Sequence, residues 1–108
     1  MPSDFIVAFV TSPDRKTSEA LASALVEERI AACVNIVPGL VSVYRWEGKI
    51  NKDPEELLII KTRAGLFETL ARRVKELHPY DVPEVVSLPI VEGANDYLGW
   101  LADSTREG

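Results

Sequence analysis

The chain contains few of the side chains that carry nucleophilic or redox chemistry: one cysteine and one histidine among 108 residues. A lone cysteine, Cys33, cannot form an intramolecular disulfide, so an oxidised secreted scaffold is not indicated. No CxxC, HExxH or nucleophile-elbow motif occurs, and none of the six glycines falls in a phosphate-binding spacing. These absences leave little support for a hydrolase or a nucleotide-binding motif.

Positive charge and long apolar runs are also scarce. Lys and Arg number 12 against 17 Asp and Glu, giving a net charge of -5, and no basic block is long enough to follow a phosphate backbone. No apolar run approaches the ~18 residues of a membrane span, and no basic segment precedes the short N-terminal apolar run. We therefore expect neither a nucleic-acid nor a membrane partner, and by default a cytoplasmic location.

The length and the 46% hydrophobic content predict a single domain, 1–108, that folds without metal or disulfide. Ser12 is the predicted N-cap of the first helix, with Pro13 at its first position, and Asn95 is the predicted cap of the last. Pro38-Gly39 predicts an interruption of the second strand, either a bulge or an edge break, and 47–49 a tight turn. The predicted strands are 5–12, 33–46, 49–62 and 84–91, and the predicted helices are 12–29, 65–77 and 95–104.

The order strand, helix, strand, strand, helix, strand, with a terminal helix, predicts a ferredoxin-like α+β domain. Two helices cover only one face of its four-stranded antiparallel sheet. The continuous apolar run 57–60 nevertheless requires cover on both faces. We therefore expect self-association over the second face.

The candidate metal ligands are Cys33, His78 and Glu84, because thiolate, imidazole and carboxylate together suit copper or zinc. Each has a simpler interpretation. Cys33 is typical of a small buried apolar residue, His78 of a helix end, and Glu84 of a solvated or paired carboxylate. A Cys33 nucleophile with His78 as base is disfavoured by the apolar surroundings of the thiol.

A second group surrounds the predicted hairpin. Tyr44 and Trp46 share one face of the hairpin, with Arg45 on the other and Lys61 farther along the chain. This pattern indicates either an aromatic interface patch or a platform for a bound ligand.

The stretches ERIAACVNIVPGLVSVYRWEGKI, HPYDVPEVVSLPI and DYLGWL resemble the CutA family, also called divalent-cation tolerance proteins. The resemblance covers nearly the whole chain. It implies a ferredoxin-like fold in a tight homotrimer, similar in architecture to the PII signalling proteins, and a cytoplasmic role associated with copper or other divalent metals.

The resemblance also assigns residues. The family's metal-associated His and Glu of the HPYxVPE motif fall on His78 and Glu84, and the cysteine of its AAC motif falls on Cys33. Some relatives carry a further cysteine in the first strand, where this chain has Val10. Without that thiolate the remaining ligands are less suited to tight copper binding.

Two functions follow as hypotheses. The first is a cytoplasmic homotrimer, without catalysis, that binds copper or another divalent cation and confers tolerance. The alternative is a PII-like regulatory trimer that binds a small anionic ligand or a protein partner in clefts between subunits. Its recognition groups would be Tyr44, Arg45, Trp46, Lys61 and Tyr80.

Overall fold

The computed structural model describes residues 4–107, arranged around one four-stranded antiparallel sheet. The predicted domain, 1–108, includes residues 1–3 and 108, which lie outside the described residues. The elements are β1 (Phe5–Ser12), α1 (Arg15–Glu27), β2 (Cys33–Trp46), β3 (Lys49–Arg63), a 3₁₀ turn (Ala64–Leu66), α2 (Phe67–Leu77), β4 (Val86–Pro89) and α3 (Asn95–Ser104). The strand order β2-β3-β1-β4 confirms the predicted ferredoxin-like α+β fold.

One face of the sheet forms the core with α1 and α2. Along β1, every second side chain from residue 6 to residue 12 is buried, whereas the residues between them are only partly covered. The core cluster joins β1 and β3 to both helices and contains Ala8, Val10, Leu21, Leu25, Ile30, Ala31, Leu58, Ile60, Leu70 and Val74. On the opposite face Leu57 and Ile59 remain partly exposed. The chain's two long helices thus cover only one face, as predicted.

The predicted hairpin is formed by β2 and β3. At its tip Glu47 and Gly48 both have positive φ, 51° and 78°, which is the backbone of a type I′ turn. The register shifts between Val37 and Leu40, which confirms the predicted bulge. Gly39 lies in that bulge with φ 87°, a conformation that glycine adopts without strain.

The outer half of this hairpin extends beyond the rest of the sheet. β1 pairs with β3 only over residues 56–63, so segments 40–46 and 49–55 pair only with each other. We call these two segments the hairpin ribbon. Large apolar side chains are exposed on it: Val41, Val43, Tyr44, Trp46 and Ile50. A two-stranded ribbon is marginally stable alone in water, so this surface requires further cover.

The start of α1 differs from the sequence prediction. Asp14, rather than Ser12, is the N-cap, and its carboxylate accepts the Thr17 backbone N–H at 2.8 Å. That hydrogen bond lowers the pKa of Asp14. The buried Ser12 hydroxyl instead bonds the Asp14 carbonyl and the Ser18 hydroxyl, each at 2.8 Å. Pro13 therefore lies outside the helix, because Asp14, and not Ser12, accepts the free backbone N–H of the first turn.

α2 ends at Leu77, because Pro79 disfavours a helical backbone at the residue before it. His78 is the C-cap and has extended backbone angles, φ -80° and ψ 141°, as expected for a residue before proline. Leu70 and Val74 are fully buried on one side of α2, but Leu77 is 37% exposed. The last turn of α2 thus projects past the core.

The C-terminal elements are shorter or more exposed than the sequence predicts. β4 covers only residues 86–89 of the predicted 84–91. Pro89 still pairs with Ile6, and the Ile90 N–H donates to the Phe5 carbonyl at 2.9 Å just beyond the strand. The cap of α3 is Ala94 rather than Asn95. Of the large apolar side chains of α3, which are Tyr97, Leu98, Trp100 and Leu101, only Leu101 is buried. No helix within residues 4–107 is long and apolar enough to cross a membrane.

Candidate functional site

A cleft of about 600 Å³ opens between the hairpin ribbon and the loop of residues 78–85 that follows α2. Four of the residues predicted as binding or metal-ligating, Tyr44, Trp46, Tyr80 and Glu84, lie together in its wall. The complete lining is Thr11, Ser42, Val43, Tyr44, Trp46, Glu55, Tyr80, Asp81, Val82 and Glu84. Part of each predicted group, one on the hairpin and one on the loop, thus lines the same cleft.

Two tyrosines of the cleft donate hydrogen bonds to carboxylates of β3. The Tyr80 hydroxyl donates to Glu55 Oε2 at 3.0 Å, and the Tyr44 hydroxyl donates to Asp53 Oδ2 at 2.5 Å. Burial, together with the Glu55 hydrogen bond and charge, raises the pKa of Tyr80 to about 12. The hydrogen bond to Asp53 likewise raises the pKa of Tyr44. Both rings therefore remain neutral phenols at neutral pH.

The charged side chains that line the cleft are all acidic. Its lining contains Glu55, Asp81 and Glu84 but no Lys or Arg. Glu55 is only 7% exposed and lies on β3 at the base of the ribbon. Carboxylates in a partly enclosed cleft concentrate a negative potential, which attracts cations and repels anions.

His78 lies behind the cleft and holds its loop in place. The ring is 7% exposed, with Nε2 2.8 Å from the Thr11 carbonyl oxygen, while Nδ1 accepts the Tyr80 backbone N–H at 3.1 Å. These bonds require the neutral tautomer with the proton on Nε2. The His78 and Tyr80 rings also contact each other, with centroids 4.6 Å apart. His78 thus links the loop to β1 and orients Tyr80.

Cys33 and Lys61 lie apart from the cleft. They oppose each other across β2 and β3, and both donate to the side-chain oxygen of Asn35. Lys61 is four residues along β3 from Leu57, the partner of Thr11 at the cleft, which corresponds to about 13 Å. The structure therefore does not bring Cys33 together with His78 and Glu84, nor Lys61 together with the cleft aromatics.

The donor set for a metal is incomplete within one chain. Among residues 4–107 no three His, Cys, Asp or Glu side chains converge closely enough to hold an ion. Val10, at the position where some relatives carry cysteine, is fully buried in the core. A thiol at that position would face α1 and α2 rather than the cleft.

Comparisons with known proteins agree with this architecture. The family model of the CutA1 divalent ion tolerance protein matches residues 6–104. The chain belongs to the CutA family. It is 57% identical over 101 residues to the chloroplastic CutA protein of Arabidopsis thaliana, covering 94% of this chain and 56% of that protein. It is 54% identical over 99 residues to the divalent-cation tolerance protein CutA of Thermus thermophilus, covering 92% of this chain and 96% of that protein.

The crystal structure of CutA1 from Oryza sativa has a TM-score of 0.95 to this chain. It is 53% identical, over 99% of this chain and 98% of that one. The chain spans a little over half the length of the plant CutA proteins it matches, 56% for the Arabidopsis protein. The CutA relationship therefore confirms the family and the fold expected from the motifs.

Sequence reasoning missed Glu55, the most deeply buried carboxylate of the cleft. Its strand has many acidic residues, and nothing in the run KDPEELL distinguishes Glu55 from Glu56. Glu56 instead faces away and binds Arg15 at 3.1 Å. Glu55 shares a face of β3 with Leu57 and Ile59, and Glu56 shares the other face with Leu58 and Ile60. Because residues 57–60 are all apolar, the alternation alone did not show which carboxylate faces the cleft.

Proposed function

We propose that the chain is a cytoplasmic, single-domain homotrimer that binds divalent cations, copper(II) above all, and contributes to cation tolerance without catalysis. The observation that carries the proposal is the cleft between the hairpin ribbon and loop 78–85, where Glu55, Asp81 and Glu84 stand without a compensating Lys or Arg. Such a lining supports a cation rather than the small anion of the alternative hypothesis.

Copper(II) follows from the type of donor. Oxygen and imidazole ligands bind Cu²⁺ more tightly than other first-row divalent ions, whereas copper(I) prefers thiolates, and Cys33 is remote from the cleft. Glu84 supplies a carboxylate, and His78 joins the set only by exchanging its Tyr80 bond for the metal. Water and groups from a neighbouring copy complete the ligand shell. Folding needs no metal in this proposal.

The trimer would cover the apolar surface that one chain leaves open. The hairpin ribbon exposes Val43 and Ile50 by 64% and 63%, and β4 exposes Leu88 by 58%. Surfaces of this kind are typical of protein interfaces. The number three comes from the likeness to CutA. The expected mass by light scattering is three times the 12.0 kDa of the chain; a monomer mass at micromolar concentration would contradict the assembly.

The cytoplasmic assignment and the absence of catalysis are also parts of the proposal. The only cysteine is a free thiol, as expected in a reducing compartment. Cys33 and His78 lie on different parts of the sheet, so they do not form the nucleophile and base pair of a thiol enzyme.

Isothermal titration with Cu²⁺ and Zn²⁺ tests the proposal. We expect Glu84→Gln to weaken Cu²⁺ binding by about tenfold or more, because a carboxylate ligand is lost. Glu92→Gln is the matched control, since Glu92 is an exposed carboxylate outside the cleft. Equal affinities for wild type and Glu84→Gln would refute the assignment of Glu84. Binding of both ions no tighter than millimolar by the wild type would refute the function.

A further inference from the structure

Aromatic rings form much of the cleft wall. Tyr44 and Trp46 come from the hairpin ribbon and Tyr80 from the opposite loop, and each ring is between 37% and 49% exposed. Side chains this large are seldom left uncovered in a concave surface unless something packs on them. The face of an aromatic ring carries negative electrostatic potential and attracts organic cations.

The polar groups of the cleft also suit a cation with a diffuse positive charge. Both tyrosine hydroxyls already donate to carboxylates, so they have no proton to offer a ligand's acceptor. The carboxylates of Glu55, Asp81 and Glu84 are distributed around the wall and do not converge in groups of three among the described residues. An organic cation needs no inner coordination shell, so all three carboxylates attract it at the same time.

We propose that this cleft binds a small organic ammonium ion, with its cationic head against Trp46, Tyr44 and Tyr80 and its charge facing Glu55 and Glu84. The volume of about 600 Å³ lies within the ~300–1,000 Å³ of small-molecule sites. Glu55, 7% exposed, supplies a deep, poorly screened negative charge. The inference goes beyond divalent-metal binding and does not require it.

The chain's two tryptophans make a direct test possible. Trp46 is 49% exposed in the cleft and Trp100, on α3, is 47% exposed outside it. In a nitrogen-15 proton correlation spectrum of the full chain, each gives one indole N–H signal, assigned with Trp46→Phe and Trp100→Phe. We expect choline to shift the Trp46 signal in a saturable way and to leave that of Trp100 unchanged.

The matched ligand control is 3,3-dimethyl-1-butanol, which has the shape of choline without its charge. We expect it to bind at least about tenfold more weakly, because it loses the cation–π and carboxylate attractions. Equal affinity for the two ligands would overturn the proposal, as would equal shifts of both indoles or no shift of Trp46 at millimolar choline.

Variants separate this proposal from metal binding. Trp46→Leu removes an aromatic face and is expected to weaken choline about tenfold, with Trp46→Phe restoring most of the loss and Trp100→Leu unchanged. Cu²⁺ titration of the same Trp46→Leu protein is expected to match the wild type, because indole is not a ligand in the metal proposal. Retention of choline binding in Trp46→Leu would refute the ammonium site, whereas metal binding stands or falls with Glu84→Gln.

Discussion

Replacing Tyr80 by Phe is expected to destabilise the chain, because the substitution removes the hydroxyl that satisfies Glu55. The Glu55 carboxylate is 7% exposed and accepts from Tyr80 at 3.0 Å. A hydrogen bond to a charged group contributes ~1.5–3 kcal/mol. Tyr80 is itself partly exposed, so water replaces some of that bond. We therefore expect Tyr80→Phe to lower the free energy of unfolding by ~1–2 kcal/mol.

Guanidinium unfolding at one fixed protein concentration measures this loss, since the proposed assembly would make apparent stability depend on concentration. Tyr44→Phe is the matched control: it removes the same hydroxyl from the more exposed Asp53 pair, and a smaller loss is expected. A double-mutant cycle with Glu55→Leu isolates the pair. If Tyr80→Phe and Glu55→Leu are additive within ~0.3 kcal/mol, the two side chains are not coupled and the reasoning fails.

Three further predictions concern the scaffold. Leu70→Ala, at a fully buried position, is expected to cost ~2–5 kcal/mol in urea unfolding. Leu77→Ala, about two turns later and 37% exposed, should cost clearly less, and similar losses would contradict the described core. Gly48→Ala, at φ 78°, is expected to lower the melting temperature, because alanine at this positive φ carries about 1 kcal/mol of backbone strain. Gly99→Ala in α3 is the control: the added methyl group meets open space, and alanine favours a helix by up to ~1 kcal/mol over glycine, so the melting temperature should rise. Hydrogen bonds from Arg73 lower the pKa of Glu28. The wild type should therefore melt at a higher temperature than Glu28→Gln, with the full difference above the ordinary Glu pKa of ~4.3 and none once the pH has fallen through the lower folded-state pKa. A difference in melting temperature that is independent of pH would exclude this linkage.

Much of the fold was predictable because its signals are local. The β-branched and aromatic residues of 5–12 and the turn signal after them placed β1, the glycine at 48 placed the hairpin turn, and Pro79 placed the end of α2. Each depends on neighbours within a few residues. The start of α1 was wrong by two residues because Ser12 and Asp14 are both good caps, and the choice depends on the buried Ser12–Ser18 contact.

The site was predictable only in part. The HPYDVPE and YRW motifs identified Tyr44, Trp46, Tyr80 and Glu84, which the fold brings into one cleft. Their meeting is a tertiary contact between the hairpin and a loop that begins more than thirty positions after Trp46, and local patterns do not encode it. The position of Glu55 in the cleft and the separation of Cys33 from the cleft depend on strand register. A slip of one residue would move every side chain of a strand to the other face of the sheet.

How rigidly the cleft is held depends on what packs against the hairpin ribbon. Its outer residues have backbone partners only on the other strand, so its amide hydrogens are expected to exchange with solvent through local openings of lower free energy than those of β1. A neighbouring copy packed on Val43 and Ile50 would raise that opening free energy, and so would a ligand held between Trp46 and the loop. Because both events would order the same segment, association and ligand binding would strengthen each other through one coupling free energy, measurable equally from the ligand affinity or from the dissociation of the assembly.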